Sequence, residues 1–89
     1  MESTHYDLRQ LSQGQVIEVT LIGNSANILL LDNSNFSNYK NGRPYKYYGG
    51  NMTTSVSRLL IPNAGHWHVV IDLKGHSGSV KSSVQVLPK

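Results

Sequence analysis

Apolar and polar side chains alternate along two stretches of the chain, Val16–Ile22 and His66–Lys74. Alternation with a period of two residues is typical of a β-strand that buries one face. Both stretches are also rich in β-branched residues, which fit the pleated surface of a sheet. The pattern therefore predicts two half-buried strands. The buried face of the second strand is expected to hold Trp67, Val69, Ile71 and Leu73.

Four further segments extend this all-β pattern. Ala26–Leu31 is apolar on both faces, as expected of a central strand that is covered on both sides. Thr54–Ile61 and Val80–Val86 are predicted to be strands as well. The apolar phase changes within the first of these two, which predicts a β-bulge near Ser57–Arg58. His5–Leu8 is expected to form a short edge strand, with one helical turn over Asp7 to Leu11 as the alternative.

Turn residues between the strands predict two hairpins. Gly23-Asn24-Ser25 supplies turn chemistry between the strand at Val16–Ile22 and the strand at Ala26–Leu31, so these two are expected to pair. Asn41-Gly42 is a strong signal for a second hairpin within residues 33–53. No window carries the apolar spacing of an amphipathic helix. Strands at intervals of roughly ten residues indicate an antiparallel sandwich or barrel.

Composition limits the class of protein. A chain of 89 residues forms one domain, residues 1–89. It has no cysteine, which favours a reducing, cytoplasmic location. The start of the chain lacks an apolar run and is not expected to be a signal peptide, and the longest apolar run, Ile28–Leu31, is too short to cross a membrane. The net charge is +3, and no acid occurs between Asn33 and Ile71. That middle part is a candidate electropositive surface.

The segment Asp32–Gly50 holds five of the seven aromatic residues. Tyrosine rings next to lysine and arginine are typical of binding surfaces, where they stack on a sugar, a base or a peptide. The alternative is that the tyrosines cap one end of the core. Tyr47 is expected to point inward, and Tyr45 and Tyr48 to be partly exposed. We predict a ligand-binding surface of Tyr39, Lys40, Arg43, Tyr45, Lys46 and Tyr48, with Asp32 and Asn35 shaping the loop.

Metal and catalytic sites receive less support from the sequence. His66 and His68 share one face of a strand and could chelate a metal if His5 or His76 supplied a third ligand; the alternative is a pair of solvent-facing or edge histidines. Asp32 opens a stretch rich in oxygen ligands, but one carboxylate is too few for a calcium loop, and an Asx-turn is favoured. We therefore expect no metal ligands and no cofactor. Nothing marks a catalytic constellation, so the protein is not expected to be an enzyme.

Two long stretches, Gly23–Gly50 and Ile61–Val86, carry a resemblance to a known family. Over roughly Gly14 to Val86 the chain resembles a small bacterial domain family of unknown function. Members of that family occur alone or beside TIR-like domains. The resemblance implies a jelly-roll-like antiparallel β-sandwich of about seven or eight strands, and it implies no activity. A weaker likeness, at Gly14-Gln15-Val16 and Pro62–Trp67, runs to accessory jelly-roll β-sandwich domains generally.

The function predicted from these observations is a non-catalytic binding module. Its ligand is expected to be a glycan or a protein, bound at the loop that carries the tyrosines and the cations. One alternative is a nucleotide or nucleic-acid sensing domain associated with TIR-type signalling. This alternative is favoured by the middle part of the chain, which has no acidic residue and could attract phosphate groups. Another alternative is a structural oligomerisation domain. No membrane partner is expected, and the resemblance implies a TIR-like domain as a partner.

Overall fold

The computed structural model describes residues 3–23, 26–52, 56–73 and 80–88. Within them the chain forms seven strands and one helix. In chain order these are β1 (Ser3–Leu11), β2 (Val16–Gly23), β3 (Ala26–Asp32), α1 (Asn33–Lys40), β4 (Tyr48–Met52), β5 (Val56–Leu60), β6 (Gly65–Asp72) and β7 (Val80–Val86). The edge strand predicted near the start is confirmed and is longer than expected, while the helical turn is not formed.

The strands form two antiparallel sheets, which confirms the predicted all-β sandwich. One sheet has the order β1-β6-β3-β4 and the other has the order β5-β2-β7. The apolar positions of β2 and β6 that the alternation predicted are all buried between the two sheets, Trp67 among them. This sandwich core contains Leu11, Ile17, Val19, Leu21, Ala26, Ile28, Leu30, Ile61, Trp67, Val69, Ile71 and Leu73.

Strand β3 is covered on both faces, as its sequence predicted. Its even-numbered apolar residues face the sandwich core, while Leu29 and Leu31 face the other way. On that outer face they meet Val70 of β6 and Phe36 of α1. We call these four buried residues the helix-side cluster. The short helix therefore covers the outer face of the four-stranded sheet, and the second face of β3 is apolar for that reason.

Helix α1 replaces the hairpin that Asn41-Gly42 predicted, so that prediction was wrong. The Asp32 side chain caps the helix by accepting a hydrogen bond from the Asn35 backbone N–H at 2.8 Å. This bond reaches the third residue on, whereas an Asx-turn reaches the second, so Asp32 forms a helix N-cap in place of the predicted Asx-turn. The helix ends at Lys40 with Asn41 as its C-cap, and Gly42 follows in the left-handed region with φ 72°. Phe36 is the only buried residue of α1. One apolar position produces no periodic pattern, which is why the sequence hid the helix.

The predicted hairpin between β2 and β3 is also wrong, because the two strands lie in different sheets. β2 pairs with β5 and β7, whereas β3 pairs with β4 and β6. Gly23 has φ 111°, a backbone conformation that glycine adopts without strain. It stands where the chain leaves one sheet for the other. The connection therefore crosses between the sheets rather than forming a hairpin within one, and the other two predicted turn residues, Asn24 and Ser25, lie outside the described residues.

The predicted bulge in β5 is not found, and a bulge occurs in β1 instead. The pairing of β5 with β2 runs in continuous register from Leu60 opposite Val16 to Val56 opposite Thr20. As an edge strand, β5 leaves Val56 and Leu60 exposed, and this exposure produced the misleading change of phase. In β1 the register with β6 shifts between Asp7 and Arg9.

Candidate functional site

Backbone hydrogen bonds fix the segment between α1 and β4. The Arg43 N–H donates to the Asn38 carbonyl at 2.9 Å, and the Lys46 N–H donates to Asn35 Oδ1 at 2.8 Å. The Asn35 side-chain amide in turn donates to Asp32 Oδ1 at 3.0 Å. The capping residue of α1 and the loop that follows the helix are therefore parts of one hydrogen-bond chain. Asp32 and Asn35 position the loop and are themselves only partly exposed.

Two of the predicted site tyrosines, Tyr39 and Tyr45, are half-buried and pack against the helix-side cluster. Their rings meet edge to face, with centroids 5.2 Å apart. The Tyr39 hydroxyl donates to Oδ2 of the buried Asp72 at 3.2 Å. The alternative prediction, that the tyrosines cap one end of the core, is therefore correct for Tyr39 and Tyr45. They hold the loop against the sheet rather than present a free ring to solvent.

Tyr47 and Tyr48 are the exposed rings of the segment, at 47% and 51%. Tyr47 was predicted to point inward, which is wrong, because Tyr45 already fills the space over the helix-side cluster. Tyr48 lies directly opposite Leu30 in the sheet, and paired residues share a face. It therefore points to the sandwich side, at the edge strand, with its ring centroid 6.1 Å from that of Trp67. The two exposed tyrosines thus flank the edge of the sheet.

The three cations of the segment, Lys40, Arg43 and Lys46, are exposed. Among the described residues the ion pairs are Arg58 with Glu18 and His66 with Asp7, so none of the three cations is neutralised there. Lys40 Nζ lies 4.9 Å from the centroid of the Phe36 ring, in a cation–π contact. We call Lys40, Arg43, Lys46, Tyr47 and Tyr48 the basic–tyrosine surface. It extends around the edge of the sheet, because Tyr48 lies on the sandwich face whereas Lys40 lies over Phe36 on the opposite face. Four of the eight predicted site residues, Lys40, Arg43, Lys46 and Tyr48, are exposed, and Tyr47 is exposed in addition to them. The other four, Asp32, Asn35, Tyr39 and Tyr45, are half-buried.

A second polar group lies on the outer face of β1 and β6. His5 Nε2 and His68 Nδ1 are 2.9 Å apart, and His68 Nε2 is 2.9 Å from Asn33 Oδ1 at the start of α1. His66 Nε2 donates to Asp7 Oδ1 at 2.7 Å. We call these five residues the histidine cluster. Of the two neighbours that the sequence suggested, His5 joins the cluster and His76 lies outside the described residues. Asp7 was not predicted, because only the register of β1 with β6 places it opposite His68.

Phe36 connects the histidine cluster to the helix. Its ring stacks on His5 and on His68, each with centroids 4.2 Å apart. His68 is consequently only 4% exposed, so of the two histidines expected at the surface one is buried beneath α1. With Asn33 Oδ1 as acceptor, His68 carries its proton on Nε2 and accepts from His5 Nε2–H at Nδ1. His68 is neutral in this arrangement, because its Nδ1 accepts a hydrogen bond.

An open cleft of about 240 Å³ lies beside this cluster, between the start of α1 and the turn before β6. Its wall is polar and apolar in nearly equal parts, and it reaches both His66 and Asn33. The residues that line it are Asp32, Asn33, Ser34, Asn63, Ala64, Gly65, His66 and Trp67. The cleft leaves the His66 ring accessible to solvent and to small solutes.

Comparison with known proteins places this arrangement in a family. The model of a family described as "Domain of unknown function (DUF1883)" matches residues 1–89. The chain belongs to the DUF1883 family. The match covers the whole sequence and confirms the resemblance to a domain family of unknown function. No curated protein and no solved structure matches the chain. In the described part of this DUF1883 domain no helix has the length and apolar character needed to span a membrane.

Burial shifts the titration of the histidine cluster of this DUF1883 domain. Desolvation lowers the pKa of His5 and the pKa of His68 below their ordinary value of 6.5, and the nearby charge of Lys40 lowers both further, while Asp7 opposes the shift. The hydrogen bond from the Arg9 backbone lowers the pKa of Asp7 below 3.8, and the bond from His66 adds to this effect. The cluster therefore favours neutral His5 and His68 beside an ionised Asp7.

We expect the DUF1883 domain to lose stability as the pH falls below 6.5, because His5 and His68 then take up protons more readily in the unfolded chain than in the folded one. Well above pH 6.5 both are neutral in both states and the full contribution is present. Urea unfolding at several pH values between 7.5 and 5, in metal-free buffer, measures the slope. H68Q should flatten it, and an unchanged slope in that variant would contradict the assignment to the cluster.

Proposed function

We propose that this DUF1883 domain is a non-catalytic binding module whose ligand, a glycan or a protein, contacts the basic–tyrosine surface. The observation that carries the proposal is the exposure of Tyr47 and Tyr48 on a segment that hydrogen bonds hold in place. Large aromatic rings that stay half in water next to cations are enriched where proteins bind partners. The core has no need of these two rings, since Tyr39 and Tyr45 already cap it.

The fixed loop supports binding in a second way. A loop that is ordered before association loses less conformational entropy when a ligand arrives. Asn35 holds the Lys46 backbone, and Asn38 holds the Arg43 backbone, so both cations start from an ordered main chain. Tyr39 and Tyr45 act as supports beneath the loop, and Tyr47 joins the contact set in addition to the predicted Tyr48. If the ligand is a protein, a TIR-like domain is one candidate for the partner that binds this surface.

Removing both exposed rings tests the proposal. We expect the double variant Y47A/Y48A to weaken binding by at least about tenfold, as hot-spot truncations do. The measurement is a binding screen of glycans, peptides and oligonucleotides, followed by titration of each ligand that the wild type binds. K81Q serves as the matched surface control, because Lys81 is exposed on β7 of the other sheet. Equal binding of every such ligand by the double variant would place the site elsewhere.

A second candidate function is nucleotide or nucleic-acid sensing, with TIR-type signalling as its setting. The observation in its favour is that Lys40, Arg43 and Lys46 are exposed without an ion-pair partner among the described residues. Three phosphate contacts would weaken binding to a single strand by roughly 20-fold between 50 and 200 mM salt, from a slope of about −0.7 per contact. A sugar or a peptide held by the tyrosine rings would lose far less. One ligand titrated at two salt concentrations therefore separates the two functions.

Self-association is the third function to distinguish. Val56 and Leu60 of β5 and Ile22 of β2 are exposed apolar residues in the three-stranded sheet. Apolar side chains left in water on a sheet favour pairing with another copy. Light scattering during size-exclusion chromatography at high protein concentration decides this point. A monomeric mass excludes the oligomerisation function and leaves the ligand-binding proposal intact.

A further inference from the structure

The histidine cluster brings three metal-binding side chains together on the outer face of the four-stranded sheet. Asp7, His66 and His68 each offer one donor atom, and the three atoms lie within 4.8 Å of one another. Asp7 belongs to β1, and the two histidines belong to β6, about sixty residues later in the sequence. We propose that Asp7, His66 and His68 bind a divalent transition metal ion of the zinc class.

The donor set suits that class of ion. Two imidazoles and one carboxylate are the ligands of many zinc sites that keep a fourth position open to water. Donors around a tetrahedral zinc ion lie ~3.3 Å apart, given bonds of about 2.0–2.1 Å. The three donor atoms lie within 4.8 Å of one another, so they must approach by up to about 1.5 Å to share one ion. Calcium and magnesium prefer oxygen ligands alone, so the two histidines select against them.

His68 has the outer contacts that a metal-binding histidine needs. A ligating imidazole usually donates its other ring N–H to a protein group, which fixes the orientation of the ring. Whichever nitrogen of His68 binds the ion, the other keeps a partner 2.9 Å away, either Asn33 Oδ1 or His5 Nε2. Phe36 stacks on the same ring and holds it in place. These contacts supply both the orientation and the apolar cover that a metal site requires.

The bulge in β1 places the carboxylate. Asp7 lies opposite His68, and the register shifts immediately after it. Asp7 Oδ1 accepts a hydrogen bond from the Arg9 backbone at 2.9 Å, and Arg9 has φ 64°, a conformation that costs a non-glycine residue energy. Bulges of this kind turn a side chain toward a site. The backbone thus holds the Asp7 carboxylate beside His66 rather than leaving it free.

Metal binding would require the His66 ring to change its orientation. Its ring stacks on that of His68, with centroids 4.7 Å apart and 12° between the planes. A metal lies in the plane of each imidazole that binds it, so two parallel rings cannot share one ion. His66 must turn and give up its hydrogen bond to Asp7. Its side chain is 38% exposed and borders the open cleft, so the turn meets no packed core.

The test is a zinc titration of untagged protein by isothermal calorimetry in a buffer that does not chelate metals. We expect one ion per chain, with D7N and H66Q each weakening binding by at least about tenfold. Both residues are partly exposed, so both variants are expected to fold, and circular dichroism verifies this. E18Q is the matched control, because it removes one carboxylate from the other sheet and should bind zinc as the wild type does.

Two independent readouts sharpen the test. Cobalt in place of zinc should give the visible absorption of a tetrahedral ion in the wild type and lose it in H66Q. K40Q should tighten zinc binding, because it removes a positive charge that acts on the cluster. The proposal is overturned if the wild type binds no zinc at about 100 μM, or if D7N and H66Q both bind zinc as tightly as the wild type.

Discussion

Replacing Gly49 with alanine is expected to lower the free energy of unfolding by about 3 kcal/mol, the sum of a steric overlap and a strained backbone. Gly49 in β4 has φ 113°, where side chains other than hydrogen are disfavoured. A Cβ atom built there would overlap the Ile28 carbonyl oxygen of the neighbouring strand. That oxygen belongs to the central strand β3 and cannot move without disturbing both sheet faces. Urea unfolding at neutral pH measures the loss.

G50A is the matched control for this prediction. Gly50 lies next to Gly49 in the same strand and has φ 136°, but no heavy atom lies within 4 Å of the position of an added Cβ. The G50A variant therefore reports the cost of the backbone conformation alone. The difference between the two variants isolates the contact with Ile28. Equal losses in both would show that this contact contributes nothing.

Replacing Phe36 with alanine is expected to cost about 3 kcal/mol of stability, at the lower end for a buried phenylalanine because one side of the ring meets Lys40 near the surface. The ring is the only buried side chain of α1, and it stacks on both His5 and His68. Its loss leaves α1 attached mainly through its cap and Tyr39. Chemical unfolding gives the stability.

The F36A variant should also lose binding at the basic–tyrosine surface, because the loop is held by Asn35 and Asn38 of α1. Y47A is the control: it removes an aromatic ring of similar size that is 47% exposed, and it should change stability by less than about 0.5 kcal/mol. If F36A unfolds at the same urea concentration as the wild type, the helix-side cluster does not stabilise the domain as described.

The strands were predictable because their signal is local. Burial of one sheet face forces a period of two, and Trp67, Val69 and Ile71 display it directly. Strand β3 was predictable for the related reason that both of its faces are covered. Helix α1 was not, since a polar helix with one buried ring carries no period and is determined by the Asp32 cap and by the sheet beneath it. Tertiary contact decided its conformation, not propensity.

The sheet assignment of β2 and β3 could not be read from the turn between them. Gly23 permits a reversal within one sheet and a crossing between two equally well, and only the complete set of pairings selects the crossing.

The candidate site likewise depends on tertiary contacts that the sequence does not show. Composition located the segment that carries the tyrosines, but the directions of Tyr45 and Tyr47 depend on which ring fills the space over the helix-side cluster. Asp7 joined the histidine cluster only through the register of β1.

The strand order has a consequence for synthesis on the ribosome. Strand β6 joins β1 to β3 in one sheet, and β7 completes the other sheet beside β2. The first sheet can therefore be completed only after β6 has left the exit tunnel, and the second only after β7 has left it. When β5 emerges, the available strand pairs are β3 with β4 and β2 with β5. The nascent chain therefore exposes the unpaired edge of β1 through most of its translation, and a folding chaperone that binds such edges would meet it there.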